Sequence, residues 1–496
     1  MLKAKKLLSV LLILTMFISF IACSDTGTTV DDTTPNEDTT VYDETAEVTE
    51  ATEISDNFPA QDYNGAEVNI LVRSEFVYEF TSDGNNADIV DDAVYRRNLD
   101  IEERFNIKIN IIDVTGTFST RDTYIKTLTS SILAADGAYD LFASAANYIM
   151  PLIPEGYFLN LNDIKNIDFS KPWWPDGYID NLTVDGKTYL ATGTVSINMI
   201  ENMCVLFFNK KLMDDHGIEY PYTLVNENNW TLEELEKMVV QVSADINNDG
   251  LYNREDTLGF MTYGNMVTAS TISMGLQFSK RDSEGYPAVT YMNDRALSMF
   301  DSMITFMGHD TVWSHEGSGD TLDRTTDMQN IFSNGNTLFM AQVLSSAEAM
   351  RGMDVDFGII PMPKYNTDQS RYYTCVLENL TVTGIPVTAK DSGMSGIILE
   401  AMAAEGYKNV IPAYYETALK TKFSRDNDSE IMLDLIRDNI WFDFLYLNSV
   451  TVSDINHLFN NSLTGGNSLV TEFEKKKEIY DIKLATLIEG YKNLKN

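Results

Sequence analysis

Residues Asp245–Asp256 have the types and the spacing of a cation-binding loop. Their sequence, DINNDGLYNRED, fits the pattern D-x-[DN]-x-[DN]-G and ends on a carboxylate at its twelfth position. Side-chain oxygens at the first, third and fifth positions can converge on one hard cation, and the carbonyl of the seventh residue adds a further ligand. The pattern therefore predicts a structural Ca²⁺ ion. Its predicted ligands are Asp245, Asn247, Asp249, Leu251, Asn253 and Asp256.

A turn that needs no ion is the second interpretation of this loop. An EF-hand has a bidentate Glu at the twelfth position, where this chain has Asp256. The next residues, Thr257–Met261, have a strand-like pattern instead of that of a second helix. The loop is therefore at most half an EF-hand and is closer to the calcium loops of dockerin modules. Asn, Asp and Gly also form turns without any ion.

Catalytic motifs are missing from the sequence. Its four histidines form no H-E-x-x-H pair, and there is no G-x-S-x-G, P-loop or Rossmann glycine pattern. Carboxylate pairs suited to glycoside hydrolysis occur in any chain with 74 acidic residues, so they carry no information. The sequence favours a binding protein, and a secreted glycoside hydrolase or lyase is the alternative from another class.

One aromatic pair has the context of a ligand site. Trp173 and Trp174 stand between Pro172 and Pro175, which excludes them from a regular helix and places them in a loop. Aromatic faces stack on sugar rings, while neighbouring amides and carboxylates take the hydroxyl hydrogen bonds. We therefore predict that this pair contacts a ligand. Core packing is the alternative for any single aromatic residue.

The N-terminal residues predict export and a lipid anchor. Three lysines precede an apolar run, Leu7–Phe20, that is too short to span a membrane comfortably. Ala22 before Cys23 resembles a bacterial lipobox, which predicts a signal peptide over residues 1–22 and acylation of Cys23. The acyl chains would hold the protein on the outer face of the cell membrane. An ordinary secretory signal with an incidental cysteine is the alternative.

Amino-acid composition predicts a stalk after the signal peptide and excludes one class of partner. Residues 23–59 are rich in Thr, Asp and Glu and contain no Lys or Arg, which predicts a disordered acidic stalk. A net charge of −38 makes nucleic acid an unsuitable partner. Cys204 and Cys375 either pair or remain inert in the core.

The elements that must position these residues alternate between strands and helices. The pattern predicts strands at 66–73, 107–111 and 139–145 with helices between them, which is typical of a parallel sheet covered by helices. Further strands are predicted at 337–343, 355–360 and 381–385. One helix is predicted to start within 207–215, and a second begins with the capping box at Thr231 and continues to Val242. Further helices are predicted at 396–404, 430–437 and 469–493. Tyr189–Asp215 is predicted to cross from one lobe to another.

Five segments, in order, resemble extracellular solute-binding proteins of bacterial ABC importers, carbohydrate type (family 1). Val205–Gly217 resembles their L-x-x-N-K-x-L-F-x-x-x-G segment, and Asn229–Leu235 their T-W-x-E-L helix start. Similar matches occur at Asp245–Phe260, Phe332–Gln342 and Val355–Lys364.

The resemblance implies a two-lobed periplasmic-binding-protein-like α/β fold (type II), with a hinge between two lobes that each contain a mostly parallel sheet. Lobe 1 would comprise residues 60–195 and 378–425, and lobe 2 residues 196–377 and 426–496. The implied protein is a monomer that captures a carbohydrate and delivers it to an ABC permease. A binder of peptides or other small solutes, or one that feeds a sensor, is the alternative. By position, the ligand-binding candidates are Trp173, Trp174, Thr194, Tyr263, Asn265, Gln342, Ser345, Glu378 and Asn379.

Overall fold

The computed structural model describes residues 56, 58, 61–84, 88–315, 323–415 and 427–495. The predicted signal peptide, Cys23 and nearly all of the predicted stalk lie outside these residues. No helix in the described part of the chain is long and apolar enough to cross a membrane.

Thirteen strands are described, in the order of the chain. They are β1 Ala66–Arg73, β2 Ile107–Val114, β3 Leu141–Ala145, β4 Cys204–Asn209, β5 Leu258–Thr262, β6 Ser279–Arg281, β7 Pro287–Val289, β8 Val312–Ser314, β9 Thr337–Val343, β10 Phe357–Pro361, β11 Thr374–Cys375, β12 Thr381–Gly384 and β13 Ile440–Trp441.

The helices of the described residues lie between and after these strands. They are α1 Ile89–Phe105, α2 Arg121–Ala134, α3 Ala146–Ile149, α4 Asp176–Leu182, α5 Asn198–Glu201, α6 Lys210–His216, α7 Tyr222–Asn226, α8 Leu232–Val239, α9 Gly264–Ser273, α10 Asp294–Met307, α11 Arg324–Ser333, α12 Ser346–Ala349, α13 Ser392–Glu405, α14 Asn427–Asp438, α15 Phe444–Leu447, α16 Leu458–Thr464 and α17 Leu469–Asn493. Short 3₁₀ segments occur at Ser74–Glu79, Met150–Glu155, Leu161–Asp163 and Ile455–His457, and a π-helical segment, Gly406–Val410, continues α13.

The first sheet has the strand order β12-β3-β1-β2. β1 pairs with β2 and with β3 in parallel, as the strand–helix alternation predicts, because a helix connects each strand to the next. β12 is antiparallel to β3 because the chain returns to this sheet from the other one. One face of the sheet packs against α1 and α13, with Val68, Ile70 and Val72 buried in that core.

The second sheet has the order β10-β4-β9-β5-β8 and is mixed. β5 runs parallel to β8 and β9, whereas β4 is antiparallel to both β9 and β10. The expectation of a mostly parallel sheet is therefore met less well here than in the first sheet. The α/β class and the two-lobed architecture are confirmed by solved structures reported below.

Two crossing segments connect the sheets and are bonded to each other. Ala191 bridges to Thr383, and Met203 bridges to Val376, both in antiparallel fashion. Between these bridges, the Asn198 Oδ1 accepts the backbone N–H of Thr381 at 2.8 Å. The segment predicted to cross between the lobes, Tyr189–Asp215, includes this region and contains α5, which was not expected.

Local patterns give the bounds of some predicted elements correctly and those of others to within a few residues. β9 and α17 have the predicted bounds, and Thr231 caps α8 by accepting the N–H of Glu234 at 3.4 Å. The helix start predicted at 207–215 is wrong at its first residues, since the apolar run continues strand β4 to Asn209. Asn209 then caps α6 through its side chain.

Candidate functional site

A cavity of about 620 Å³ opens where the two crossing segments meet both sheets. Five of the predicted ligand-binding residues line it, namely Tyr263, Asn265, Gln342, Ser345 and Asn379. The other lining residues are Phe76, Tyr78, Asn198, Glu201, Asn202, Thr325, Val343, Glu348 and Leu377. We call this cavity the cleft. Its wall combines aromatic rings with amide, hydroxyl and carboxyl groups.

The second sheet positions one wall of the cleft. β5 and β9 are parallel, so their carboxyl ends meet at the same edge of the sheet. Tyr263 and Asn265 follow β5 at the start of α9, while Gln342 is near the end of β9. The Gln342 Oε1 accepts the N–H of Val343 at 2.9 Å, which fixes its amide. In the sequence, Tyr263 and Asn265 were identified by their position after the calcium-like loop, and Gln342 by the predicted strand at 337–343.

The first sheet and the crossing segments supply the residues that the sequence analysis missed. Phe76 and Tyr78 lie in the 3₁₀ segment directly after β1, at the carboxyl end of a parallel strand. Asn198 and Glu201 lie in α5, and Asn202 directly follows it. The rule that ligands bind beyond the carboxyl ends of parallel strands would have identified the first pair.

Glu201 is the buried carboxyl group of the cleft. Its side chain is 8% exposed, and its Oε2 accepts hydrogen bonds from the Tyr78 hydroxyl at 2.8 Å and the Asn198 amide at 3.3 Å. Burial raises the pKa of Glu201 to about 7, and the negative charge of Glu348 acts in the same direction. The two hydrogen bonds lower it, but by less than burial raises it.

Glu79 joins both crossing segments to the first sheet. Its Oε2 accepts from the Ser196 hydroxyl, and its Oε1 accepts from the Thr381 hydroxyl at 3.0 Å. Burial raises the pKa of Glu79 to about 8, with a further contribution from Glu201. The Arg97 guanidinium donates to the carbonyls of Val195 and Glu79, both at 3.1 Å. A buried polar network therefore supports the floor of the cleft.

The sequence of residues 100–392 matches the family described as bacterial extracellular solute-binding protein. This match covers more than half of the chain. The protein belongs to that family. Its members are binding proteins rather than enzymes, and they act outside the cytoplasm. None of the curated protein sequences matches this chain significantly.

Solved solute-binding structures share the fold at low sequence identity. A cyclo/maltodextrin-binding protein complexed with maltotetraose is 12% identical, with a TM-score of 0.58 over 85% of this chain and 98% of that one. A sugar transporter from Rhizobium etli in an open conformation is 13% identical, with a TM-score of 0.55 over 87% and 100%. An ABC substrate-binding protein from Listeria monocytogenes in complex with cycloalternan is 14% identical, with a TM-score of 0.53 over 85% and 99%. These likenesses establish the two-lobed fold.

Trp173 and Trp174 of this solute-binding protein lie in the core and not in the cleft. Their side chains are 0% and 1% exposed. The indole N–H of Trp173 donates to Glu400 Oε1 at 2.9 Å, and that of Trp174 donates to Glu400 Oε2 at 3.0 Å. The loop before α4 folds inward, where α13 supplies a buried acceptor for both rings. Trp173 also lines a second cavity, of about 800 Å³, so the prediction that this pair contacts a ligand stays a prediction.

Thr194 and Glu378 also have structural partners outside the cleft. The Thr194 hydroxyl donates to the carbonyl of Ala403 at 2.6 Å, which fastens the crossing segment to α13. Glu378 Oε2 accepts from the Tyr446 hydroxyl at 2.7 Å. Neither residue is among those that line the cleft. Their proximity to the crossings in sequence was the reason for predicting them as ligand contacts. Thr194 lines the second cavity together with Trp173, and both residues stay predicted ligand contacts.

The remaining cysteines of the folded part are free and buried. Cys204 and Cys375 flank the bridge between Met203 and Val376, so they lie on neighbouring strands. Burial raises the pKa of the Cys204 thiol well above its usual value, and its hydrogen bond with Cys375 adds to this rise. The interpretation as inert core thiols agrees with this environment.

The Asp245–Asp256 loop is closed by hydrogen bonds from its backbone N–H groups to its own carboxylates. The Asp245 Oδ2 accepts the N–H of Gly250 at 2.9 Å, and the Asp249 Oδ1 accepts that of Leu251 at 2.8 Å. Asp256 is fully buried and accepts from the amides at 246 and 253, so it fastens the ends of the loop together.

The chemistry of this loop is compatible with a cation but does not by itself require one. The Asn247 amide donates to the carboxylates of Asp249 and Glu255. These contacts bring oxygen atoms that could bind a cation to one side of the loop. No group of three or more His, Cys, Asp or Glu side chains in the described residues is arranged to hold a metal. Amide and carbonyl oxygens would have to complete the set. The calcium site stays a prediction.

Proposed function

We propose that this protein captures an oligosaccharide in the cleft and delivers it to the membrane subunits of an ABC importer. The observation that carries the proposal is the composition of the cleft wall. Three aromatic rings, those of Phe76, Tyr78 and Tyr263, share it with five side-chain amides. Aromatic faces suit the apolar faces of sugar rings, and amides can both donate to and accept from sugar hydroxyls.

The volume and the position of the cleft support the same proposal. A cavity of about 620 Å³ is within the range of sites for small organic ligands, roughly 300–1,000 Å³. The cleft is bounded by both sheets, so a bound solute would contact both lobes and stabilise their closure. Three proteins of similar fold carry sugar-related descriptions, with maltotetraose and cycloalternan bound in two of them.

A lipid anchor on Cys23 would keep the protein at its permease. The folded residues would then be separated from the membrane by the acidic stalk over residues 23–59. Repulsion among the carboxylates of the stalk favours an extended chain and gives the binding lobes reach. A monomer suffices for this function, because both walls of the cleft come from one chain.

Calorimetry with an oligosaccharide panel tests the proposed function. We expect at least one neutral oligosaccharide to bind and to raise the melting temperature. Tyr78→Ala should weaken that binding about tenfold, since an aromatic contact contributes roughly 1 kcal/mol beyond its buried area. Tyr95→Ala is the matched control, because Tyr78 and Tyr95 are both 37% exposed and Tyr95 lies on α1, outside the cleft.

Other solutes provide the outcomes that would overturn the sugar assignment. A panel of peptides and polyamines should be tested in parallel with the sugars. Binding of a peptide or polyamine with no response to any sugar would replace the ligand class while keeping the solute-binding family. Equal losses of affinity in the Tyr78→Ala and Tyr95→Ala variants would show that the cleft is not the binding site.

A further inference from the structure

Glu201 offers an unused hydrogen-bond acceptor to the cleft. The Tyr78 and Asn198 side chains both donate to its Oε2. The Oε1 accepts no hydrogen bond from the described residues, although the side chain is only 8% exposed and lines the cavity. This oxygen is left for water or for a hydrogen-bond donor on a bound solute.

The other crossing segment also contributes a polar side chain to the lining of the cleft, that of Asn379. The Asn379 Oδ1 is buried and has no hydrogen-bond partner within the described chain. Asn379 lies two residues before Thr381, whose N–H is bonded to Asn198. Both crossing segments thus bring a side chain with an unpaired oxygen to the lining of the cleft.

The charges around the cleft have one sign. Glu201 and Glu348 are the charged members of its described lining, which contains no Lys, Arg or His. Two described cations contact lining side chains from behind: the Arg73 guanidinium lies 3.9 Å from the centre of the Phe76 ring, and that of Arg324 lies 5.2 Å from the centre of the Tyr263 ring. Neither arginine is part of the lining itself. A carboxylate on the solute beside Glu201 would meet a charge of the same sign.

We infer that Glu201 selects the solute by charge, so that an oligosaccharide carrying a protonated amino group at the hinge end binds better than its neutral counterpart, whereas one carrying a carboxylate there is excluded. The inference rests on the proposed function and names the sugar class of that site. An ammonium group has three donors and a positive charge, which suits the Oε1 of the Glu201 carboxylate. A hydroxyl would satisfy one acceptor without the charge.

The environment of Glu201 is consistent with this selection. The titratable groups that face it are Tyr78 and Glu79 from the first sheet, Glu348 from α12, and Tyr414. None of these is a cation, so the negative charge of Glu201 is only partly stabilised, and its pKa is raised to about 7. A bound ammonium would favour the ionised carboxylate and would itself be held by it.

The test compares three β-1,4-linked trisaccharides that differ in one substituent: glucose, glucosamine and glucuronic acid units. Binding is measured by calorimetry at a pH where the amine is protonated. We expect the order amine, then neutral sugar, then no binding of the uronate. Glu201→Gln should reduce the preference for the amine over the neutral sugar by about tenfold, the factor expected for loss of roughly 1.4 kcal/mol.

Glu233→Gln is the matched control, because it removes the same charge from an exposed position on α8. Its preference should equal that of the unmodified protein. Tight binding of the uronate, or an unchanged preference in Glu201→Gln, would overturn the charge selection while leaving sugar capture intact. Binding of a cationic peptide or polyamine alone, lost in Glu201→Gln, would support the charge selection and overturn the sugar assignment. No binding by any of these solutes would overturn both.

Discussion

At the scale of single residues, the buried carboxyl group of Glu400 holds Trp173 and Trp174, the pair that the sequence predicts as ligand contacts. Glu400 accepts from both indole N–H groups and also from the N–H of Asp168 at 3.3 Å. The two tryptophans are therefore held by a buried acceptor rather than exposed for a sugar. Their replacement by alanine would open a large cavity, at a cost of roughly 3–5 kcal/mol for each ring.

Glu400→Gln tests this arrangement without changing the volume of the core. An amide has only one acceptor oxygen, so one of the two indole N–H groups would lose its partner. We expect the free energy of unfolding to fall by about 1–3 kcal/mol, as measured by urea denaturation. The exposed Glu233→Gln variant should change it by less than about 0.5 kcal/mol. Equal values for the two variants would contradict a stabilising role of Glu400.

The buried carboxyl group of Glu79 predicts how stability depends on pH. Its pKa is raised from 4.5 to about 8 in the folded protein, so the folded protein retains a proton that the unfolded chain has lost in this interval. This contribution to stability is fully present below pH 4.5 and is lost as the pH rises through about 8. Glu201 acts in the same direction, with a pKa of about 7.

Urea denaturation between pH 5 and pH 8 measures this dependence. We expect the free energy of unfolding to decline with rising pH in the unmodified protein and to decline less steeply in Glu79→Gln. The Glu233→Gln variant should retain the original slope, because hydrogen bonding to Lys237 lowers the pKa of Glu233 and keeps its titration below this range. If the free energy of unfolding changes equally with pH in the unmodified protein and in Glu79→Gln, the raised pKa of Glu79 does not cause the pH dependence.

At the scale of elements, the Asp245–Asp256 loop is where the predicted cation can be tested. Calcium added to the chelated protein should raise the melting temperature, because an ion that binds only the folded state stabilises it. Asp249→Asn should reduce the rise, since it removes one of the charged ligands. Asp282→Asn is the control, because Asp282 closes a similar turn by accepting the N–H groups of Glu284 and Tyr286. If calcium does not raise the melting temperature of the unmodified protein, the loop is a turn closed by hydrogen bonds and the calcium site is excluded.

At the scale of the whole molecule, a lipid anchor would decide where the binding lobes work. We expect the protein to fractionate with membranes and the Cys23→Ser variant to appear in the soluble exported fraction, because acyl chains provide the membrane affinity. Cys375→Ser is the control, since Cys375 is buried and should leave the location unchanged. Unmodified protein in the soluble fraction, or Cys23→Ser on the membrane, would exclude the anchor.

Local periodicity explains why much of the fold was predictable. The alternation of Val68, Ile70 and Val72 in β1, and the pattern over Leu469–Asn493, each depend on neighbours a few positions apart in sequence. The turn at Asp185-Gly186 is also local: both residues have positive φ angles, and Val184 pairs with Lys187 across it. Five cleft residues were found by their position after the calcium-like loop, after the strand predicted at 337–343 and at the return crossing.

The α/β class, the bounds of several elements, the solute-binding family and five residues of the cleft follow from the sequence. Which side chains turn inward, and which of them meet across the cleft, depends on the tertiary structure. Tyr78 and Glu201 are 123 positions apart, and Trp173 and Glu400 are 227 apart. Prolines set the backbone of the tryptophan loop, but a local pattern cannot specify whether a distant helix supplies a buried acceptor for the rings. Side-chain direction depends on such long-range partners, so it follows from packing and not from spacing.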